Sequence, residues 1–125
     1  MLNTTSDTAW TEAARQIVRA GQRMDQRGWV PATAGNLSVR LNDGRIAITR
    51  SGGHKGFLTE QDVIQITSEG VPLDSANRAS AETLLHTQLY AHDPSIGAVL
   101  HGHSVAATIL SMDEPTDAIT LAGYE

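Results

Sequence analysis

The chain has 125 residues, of which 40% are hydrophobic, which suits one folded domain with a modest core. Its formal net charge is −5 and its nine basic residues are scattered, so no basic track is available for a nucleic-acid backbone. There is no cysteine, so histidines and carboxylates must hold any transition metal. The N-terminus lacks the pattern of a signal peptide, and no apolar run reaches the ~20 residues that span a bilayer. We therefore expect a cytoplasmic protein with no nucleic-acid or membrane partner.

Three segments have the apolar spacing or the capping residues of helices. The first is predicted over residues 8–27, with Asp7 as its cap, and the second over residues 80–92, with Ser80 as its cap. A shorter helix is predicted over residues 104–111.

Strands are predicted between these helices. Alternating apolar residues on both sides of an Asn-Asp-Gly turn predict a β-hairpin over residues 37–48, and short apolar runs predict strands over 63–66, 96–101 and 118–121. The alternation of helices and strands predicts a single α/β domain over residues 1–125, with a mixed sheet covered by helices.

The segment His101-Gly102-His103 is a candidate metal-binding pair. Side chains at i and i+2 of an extended strand point to the same face, so the two imidazoles can chelate one cation. The glycine between them would permit a close approach from the other face. Such a pair can also be structural or simply exposed, but here an apolar strand delivers it to its C-terminal end, where α/β proteins usually place their sites.

Glu82 lies in the first turn of the second predicted helix. A carboxylate there can cap the helix or interact with its dipole, and it can also point into a metal site as a ligand or an acid/base group. His86, one turn later, is interpreted as a residue of the helix face rather than a ligand.

Two glycine-rich segments, residues 33–36 and 51–56, are candidates for an anion site. Backbone N–H groups of such turns can converge on a phosphate, and hydroxyls and a lysine can complete the site. The phosphate-binding string of P-loop proteins is absent, and both segments can equally be ordinary turns.

Four motifs in a fixed order connect these candidates: TAGNLS (33–38), ITRSGGHKGFLT (48–59), SAETLLH (80–86) and HGHS (101–104). Together they resemble the class II aldolase/adducin family. The resemblance implies a three-layer α/β/α domain with a central mixed or antiparallel sheet, and a homotetramer with its sites between subunits. It also implies one divalent metal per subunit, usually Zn²⁺, and a phosphorylated sugar as substrate.

Within the family, the stretches WVPATAGNLSVR (29–40) and SGGHKGFLT (51–59) are similar to the branch that dehydrates 5-methylthioribulose 1-phosphate in methionine salvage. This resemblance implies that Glu125 is the catalytic acid/base, that Glu82 is a second carboxylate of the site, and that His101 and His103 bind the metal. The phosphate-binding residues that it implies are Gly35, Asn36, Ser51, Gly52, Lys55 and Ser80.

One feature of the family is missing from this sequence. Family members continue further and supply a third histidine ligand from an Asn-His-Gly segment, which does not occur here. We therefore expect the C-terminal part of the domain to be lacking, and strand edges and apolar surface to be exposed. Two alternatives stay open: another sugar-phosphate aldolase or epimerase of the family, and a non-catalytic adducin-like module.

Overall fold

The computed structural model describes residues 4–79 and 82–123. Its helices and strands are, in chain order, α1 (Thr4–Gln26), β1 (Asn36–Arg40), β2 (Ile46–Thr49), β3 (Val63–Ile66), α2 (Thr83–His92), β4 (Ala98–His101) and α3 (Val105–Asp113). Two short 3₁₀ turns, Lys55–Phe57 and Glu60–Asp62, connect β2 to β3.

The four strands form one sheet in the order β3-β2-β1-β4, and every neighbouring pair is antiparallel. The predicted α/β class is confirmed, and of the mixed or antiparallel sheet that the family resemblance implies, the described strands form the antiparallel one. The connections agree with this arrangement: a short turn joins β1 to β2, the loop of residues 50–62 joins β2 to β3, and α2 returns the chain so that β4 runs against β1.

Alternating side chains of the sheet build a core on each face. On one face Leu37 and Ala47 pack with Ile17 of α1. On the other face Ile48 and Ile64 belong to a second cluster. Tyr90 of α2 completes that cluster, so the two helices cover opposite faces and the domain has three layers, as the family resemblance implied.

Two details of the predicted elements are wrong. Helix α1 begins at Thr4, so Asp7 lies within it instead of capping it, because residues 4–6 contain no proline or glycine to stop the helix. Residues 118–121 do not form a strand, since within residues 82–123 they lack the backbone ladder to a neighbour that a strand requires. The predicted cap Ser80 lies outside the described residues.

Gly21 is the point where α1 touches the loop after β2. A β-carbon there would collide with the carbonyl oxygen of Lys55 and would lie 3.2 Å from a methyl group of Leu58. Although alanine favours helix more than glycine does, we expect Gly21→Ala to destabilise the protein by about 2–3 kcal/mol, because backbone must move. Urea unfolding measures this effect. Gly97→Ala is the matched control, since nothing lies within 4 Å of a β-carbon there, and equal stability of both variants would contradict the prediction.

Large apolar side chains are exposed on the outer faces of α2 and α3, as we expected from the sequence. They are Leu84, Leu85, Leu89, Val105, Ile109, Leu110 and Met112. Among the helices that the structure describes, none combines the length and the apolar character needed to cross a membrane.

Candidate metal centre

The antiparallel register brings three chain segments to one end of the sheet. His101, the last residue of β4, pairs with Asn36, the first residue of β1. Gly35 precedes them with φ +84°, and a β-carbon there would lie 2.7 Å from the carbonyl oxygen of His101. Glycine is therefore required both by the backbone conformation and by the contact with β4. Because β2 runs against β1, the loop after Thr49 starts at the same end.

Glu82, His101 and His103 form a compact group of metal-ligand type at this end. Each contributes a nitrogen or oxygen atom, and these atoms all lie within 4.8 Å of one another. Nδ1 of His101 is 2.9 Å from Oε2 of Glu82, and the two imidazole centroids are 4.7 Å apart. Zn²⁺ accepts this donor set, and catalytic zinc sites commonly have three protein ligands. The residues present therefore fit a divalent cation.

Gly102 lets the segment around His101 and His103 approach the end of α1. A β-carbon at this position would lie 2.8 Å from Cε of Met24 and 3.2 Å from the carbonyl oxygen of Trp29. The same carbonyl accepts a hydrogen bond of 2.6 Å from the backbone N–H of His103. The predicted role of the glycine in a close approach is thus confirmed, and the hydrogen bond anchors His103 beyond the end of β4.

The side chain of Glu82 does not cap α2. The residue occupies the position before the helix, but its carboxylate makes no capping hydrogen bond, and its oxygen lies against His101 instead. Of the two interpretations left open by the sequence, the structure favours the carboxylate that points into the site.

A buried polar network continues behind His101. The amide oxygen Oδ1 of Asn36 lies 3.1 Å from Nδ1 of His101 and 2.5 Å from Nε2 of His86. The other ring nitrogen of His86 is 2.6 Å from the hydroxyl of Ser38, which is 2.7 Å from the hydroxyl of Tyr90. Asn36, Ser38 and His86 are at most 1% exposed. The described chain leaves no buried side-chain N or O atom without a hydrogen-bond partner.

The network follows from two sequence periods. Asn36, Ser38 and Arg40 alternate along β1 and share the face that α2 covers, while His86 and Tyr90 are one helical turn apart. Arg40 completes the contact by donating 2.7 Å and 3.0 Å hydrogen bonds to carbonyl oxygens near the end of α2. Polar contacts therefore hold α2 on β1, and the leucines of α2 face outward.

Acid should weaken this network through His86. Burial, together with the nearby His101, lowers the pKa of His86 from 6.5 to about 4. Between these values the unfolded chain binds more protons than the folded one, so stability falls as the pH falls from 6.5 towards 4. The full loss in the free energy of unfolding from this group is on the order of 3 kcal/mol.

Urea unfolding of the metal-free full-length protein at about pH 7.5 and about pH 4.5 measures this loss. His86→Gln removes the titrating ring and is the matched comparison, since other groups contribute equally to both proteins. A loss of the same size in the two proteins would contradict the assignment to His86.

Lys55 is a buried link between the two glycine-rich segments. Its side chain is 2% exposed, and its Nζ donates hydrogen bonds of 3.0 Å to the carbonyl of Thr33 and 2.6 Å to that of Gly53. Burial lowers the pKa of Lys55, and the Glu82 carboxylate opposes that shift. The ammonium group therefore ties the two loops together and lies within the electrostatic range of the metal group.

The other residues of the implied phosphate site are distributed as follows. Ser51 is half-buried and Gly52 is exposed, with φ +86°. Both belong to the loop that Lys55 joins to the segment before β1. Ser80 and the implied acid/base Glu125 lie outside the described residues. The structure thus brings the two loops to the metal end of the sheet.

An apolar recess adjoins the metal group. It has a volume of about 350 Å³ and is lined by Pro31, Ala34, His103, Val105, Thr108 and Ile109. His103 therefore borders both the group of candidate ligands and an apolar surface.

Comparison with known proteins agrees with this geometry. The sequence profile described as Class II Aldolase and Adducin N-terminal domain matches residues 15–125. The chain belongs to this family. Solved class II aldolase structures share its fold. YgbL of Klebsiella pneumoniae is 31% identical, with a TM-score of 0.76 over 82% of this chain and 49% of that one. The L-fuculose-1-phosphate aldolase of Thermus thermophilus is also 31% identical, with a TM-score of 0.68 over 82% of this chain and 51% of that one.

The curated relatives narrow the comparison to one branch of the class II aldolase family. A methylthioribulose-1-phosphate dehydratase of Gluconobacter oxydans (strain 621H) is 83% identical over the whole chain, which spans 60% of that relative's length. A dehydratase of the same name from Gluconacetobacter diazotrophicus is 61% identical over 96% of this chain and 58% of the relative. The predicted resemblance to the family and to this branch is confirmed.

The sequence did not identify the network behind His101. His86 was interpreted as a residue of the helix face, and its buried contacts with Asn36 and Ser38 were not predicted. The sequence did contain a signal for this network: Asn36, Ser38 and Arg40 make one face of the first hairpin strand entirely polar. A buried strand with a polar face requires polar partners on the element that covers it.

Proposed function

We propose that the protein catalyses the zinc-dependent dehydration of 5-methylthioribulose 1-phosphate to 2,3-diketo-5-methylthiopentyl 1-phosphate and water, in methionine salvage. The observation that carries the proposal is the group of Glu82, His101 and His103 at one end of the sheet. It occurs in a chain 83% identical to a relative named for this reaction. We further propose a cytoplasmic homotetramer with one Zn²⁺ per subunit.

The reaction removes a proton from C3 of the ketose and expels the hydroxyl from C4. The C3 proton is only weakly acidic, so the main requirement is stabilisation of the negative charge that develops on the C2 carbonyl oxygen. A Zn²⁺ ion held by His101, His103 and Glu82 would supply this stabilisation as a Lewis acid. The enol that forms then becomes the diketone by moving a proton from the C3 hydroxyl to C4.

The protein's own residues transfer the protons and bind the methylthio end of the substrate. Glu125 takes the proton from C3 and returns one to the departing C4 hydroxyl, as the family resemblance implies, while Glu82 contributes to the metal site. The recess beside His103 offers apolar surface for the methylthio end of the substrate.

The phosphate end of the substrate is assigned to the two loops at the same end of the sheet. Backbone N–H groups of glycine-rich turns suit an anion, and the ammonium of Lys55 adds positive charge beneath them. Because that ammonium is already bound to two carbonyls, its contribution is to shape and charge the site. The residues assigned to phosphate binding are Gly35, Ser51, Gly52, Lys55 and Ser80; the side chain of Asn36, which the resemblance also implies, is instead buried against His101 and His86.

A sugar-phosphate aldolase is the second candidate. Its support is the likeness to the Thermus thermophilus L-fuculose-1-phosphate aldolase, and a carboxylate in the position of Glu82 could serve as the base of an aldol cleavage. The two reactions begin with similar charge development on a carbonyl oxygen, but they release different products.

Product analysis distinguishes the two candidates. The zinc-loaded full-length protein is incubated separately with methylthioribulose 1-phosphate, fuculose 1-phosphate and rhamnulose 1-phosphate, and products are identified by mass spectrometry. We expect loss of one water from the first substrate and no cleavage of the other two. Release of dihydroxyacetone phosphate from fuculose 1-phosphate, with no dehydration of the first, would contradict the proposal and favour the aldolase. A protein that binds no zinc and acts on none of the substrates would favour the adducin-like alternative.

A further inference from the structure

We propose that Asn36 and His86 are positioning residues that hold His101 with its proton on Nδ1, so that Nε2 is the nitrogen that binds the metal. The inference rests on the metal site of the proposed function. Its basis is the pattern of donors and acceptors around one amide group.

The decisive contact is the one between His101 and the carboxylate. Nδ1 of His101 lies 2.9 Å from Oε2 of Glu82 and 3.1 Å from Oδ1 of Asn36. An ionised carboxylate can only accept hydrogen bonds, so Nδ1 must carry a proton. If the Asn36 amide were turned the other way, its NH₂ group would face that proton. The contact with Glu82 therefore selects the orientation in which Asn36 presents its oxygen.

This orientation of the Asn36 amide determines which atom donates in each hydrogen bond of the buried network. With its oxygen towards both rings, Asn36 accepts from Nδ1–H of His101 and from Nε2–H of His86. The neutral His86 then has a bare Nδ1, which accepts from the hydroxyl of Ser38. Ser38 in turn accepts from the hydroxyl of Tyr90. The Nδ1 proton of His101 is shared between Glu82 and Asn36, and every other hydrogen of the network has one acceptor, so a single arrangement satisfies the whole network.

The network reaches a metal ligand from a rigid part of the fold. Asn36 and His101 are directly paired across β1 and β4, and His86 is buried beneath α2. A histidine ligand normally donates its other N–H to an acceptor, which fixes the ring orientation and raises its basicity. Here that acceptor is shared: His86 fills the second lone pair of the Asn36 oxygen and prevents the amide from turning.

Nitrogen NMR tests the arrangement of protons directly. The zinc-loaded full-length protein is labelled with ¹⁵N-histidine, and ring nitrogens are assigned by comparison with His86→Gln and with His92→Gln, a surface control. We expect His101 to show a metal-bound Nε2 and a protonated Nδ1, and His86 to show a protonated Nε2. Metal on Nδ1 of His101, or a proton on Nδ1 of His86, would overturn the proposal.

Two substitutions of His86 test the positioning role. His86→Gln can still place an N–H donor against Asn36, whereas His86→Phe keeps the ring shape and removes the donor. Competition with a chelator should show zinc affinity reduced roughly 10–100-fold in the phenylalanine variant and within about threefold of the unchanged protein in the glutamine variant. Equal affinity in all three proteins would contradict the role.

Tyr90→Phe separates positioning from stability. This change removes the distant hydroxyl but leaves the contacts of Asn36 with both histidines. We expect a lower melting temperature and an unchanged zinc affinity. If its affinity fell as far as that of His86→Phe at an equal loss of melting temperature, the network would be merely structural and the proposal would fail.

The outcomes also separate this proposal from the proposed reaction. A protein that binds zinc with the expected protons but does not dehydrate the substrate contradicts only the reaction. An active dehydratase with the opposite protons on His101 and His86 contradicts only the positioning role.

Discussion

Replacing His101 with alanine should abolish both metal binding and turnover in the full-length protein. The imidazole is the centre of the site: it contacts the carboxylate of Glu82, its ring centroid lies 4.7 Å from that of His103, and its Nδ1 lies 3.1 Å from the buried oxygen of Asn36. Its loss leaves two ligands on the described chain, and catalytic zinc normally needs three from the protein. We expect metal affinity to fall at least about a hundredfold and turnover to fall by roughly a thousandfold or more.

His92→Ala is the matched control for this substitution. His92 also lies near a metal-site element, at the end of α2, but it is exposed, so its removal deletes an imidazole without touching the site. Elemental analysis of both purified variants gives the zinc content, and circular dichroism shows whether each is folded. A folded His101→Ala protein with stoichiometric zinc and undiminished turnover would end the Lewis-acid account.

The parts of the fold that follow from local patterns were predictable. The hairpin around Asn42-Asp43-Gly44 was recognised because turn chemistry and a period of two act over a few residues. The pair His101 and His103 was found for the same reason, since His101 ends one apolar strand and His103 follows two residues later. The meeting of this pair with Glu82 was suggested by the family resemblance, because no local pattern links residues so distant in the chain.

Features that depend on long-range packing were harder to predict. The run at residues 118–121 has the composition of a strand, but a strand exists only where a neighbour supplies its hydrogen bonds. Lys55 was predicted as part of a phosphate-binding loop, but its burial was not predicted: the carbonyls of Thr33 and Gly53 bind its ammonium in the interior. Such burial depends on the approach of α1 to that loop, which Gly21 permits and which no short window of sequence reveals.

The pairing register of β1 with β4 determines which residues meet at the candidate site. A shift of one residue between β1 and β4 would move His101 away from Asn36 and place Leu37 beside it, because alternate residues face opposite sides of a sheet. The polar network depends on the observed register, because Oδ1 of Asn36 reaches both His101 of β4 and His86 of α2.

Glu125→Gln should preserve zinc binding and remove most of the turnover. The family resemblance assigns to Glu125 the proton transfers at C3 and C4, and glutamine has nearly the same shape but cannot accept a proton. A positioned acid/base group is worth about 10²–10⁴-fold in rate, so we expect kcat to fall by that factor while the metal content stays at one per subunit. Steady-state kinetics with methylthioribulose 1-phosphate and elemental analysis measure the two quantities.

Glu82→Gln is the comparison variant for Glu125→Gln, because it separates loss of the metal from loss of proton transfer. Glu82 lies against His101, so its neutralisation should weaken metal binding first and turnover only as a consequence. We therefore expect different results for the two variants. Glu125→Gln should retain the metal but lack activity, whereas Glu82→Gln should regain activity in excess zinc. If Glu125→Gln stays active while Glu82→Gln holds zinc and is inactive, the proton transfer belongs to Glu82. The site would then operate as an aldolase-type base on the same metal group.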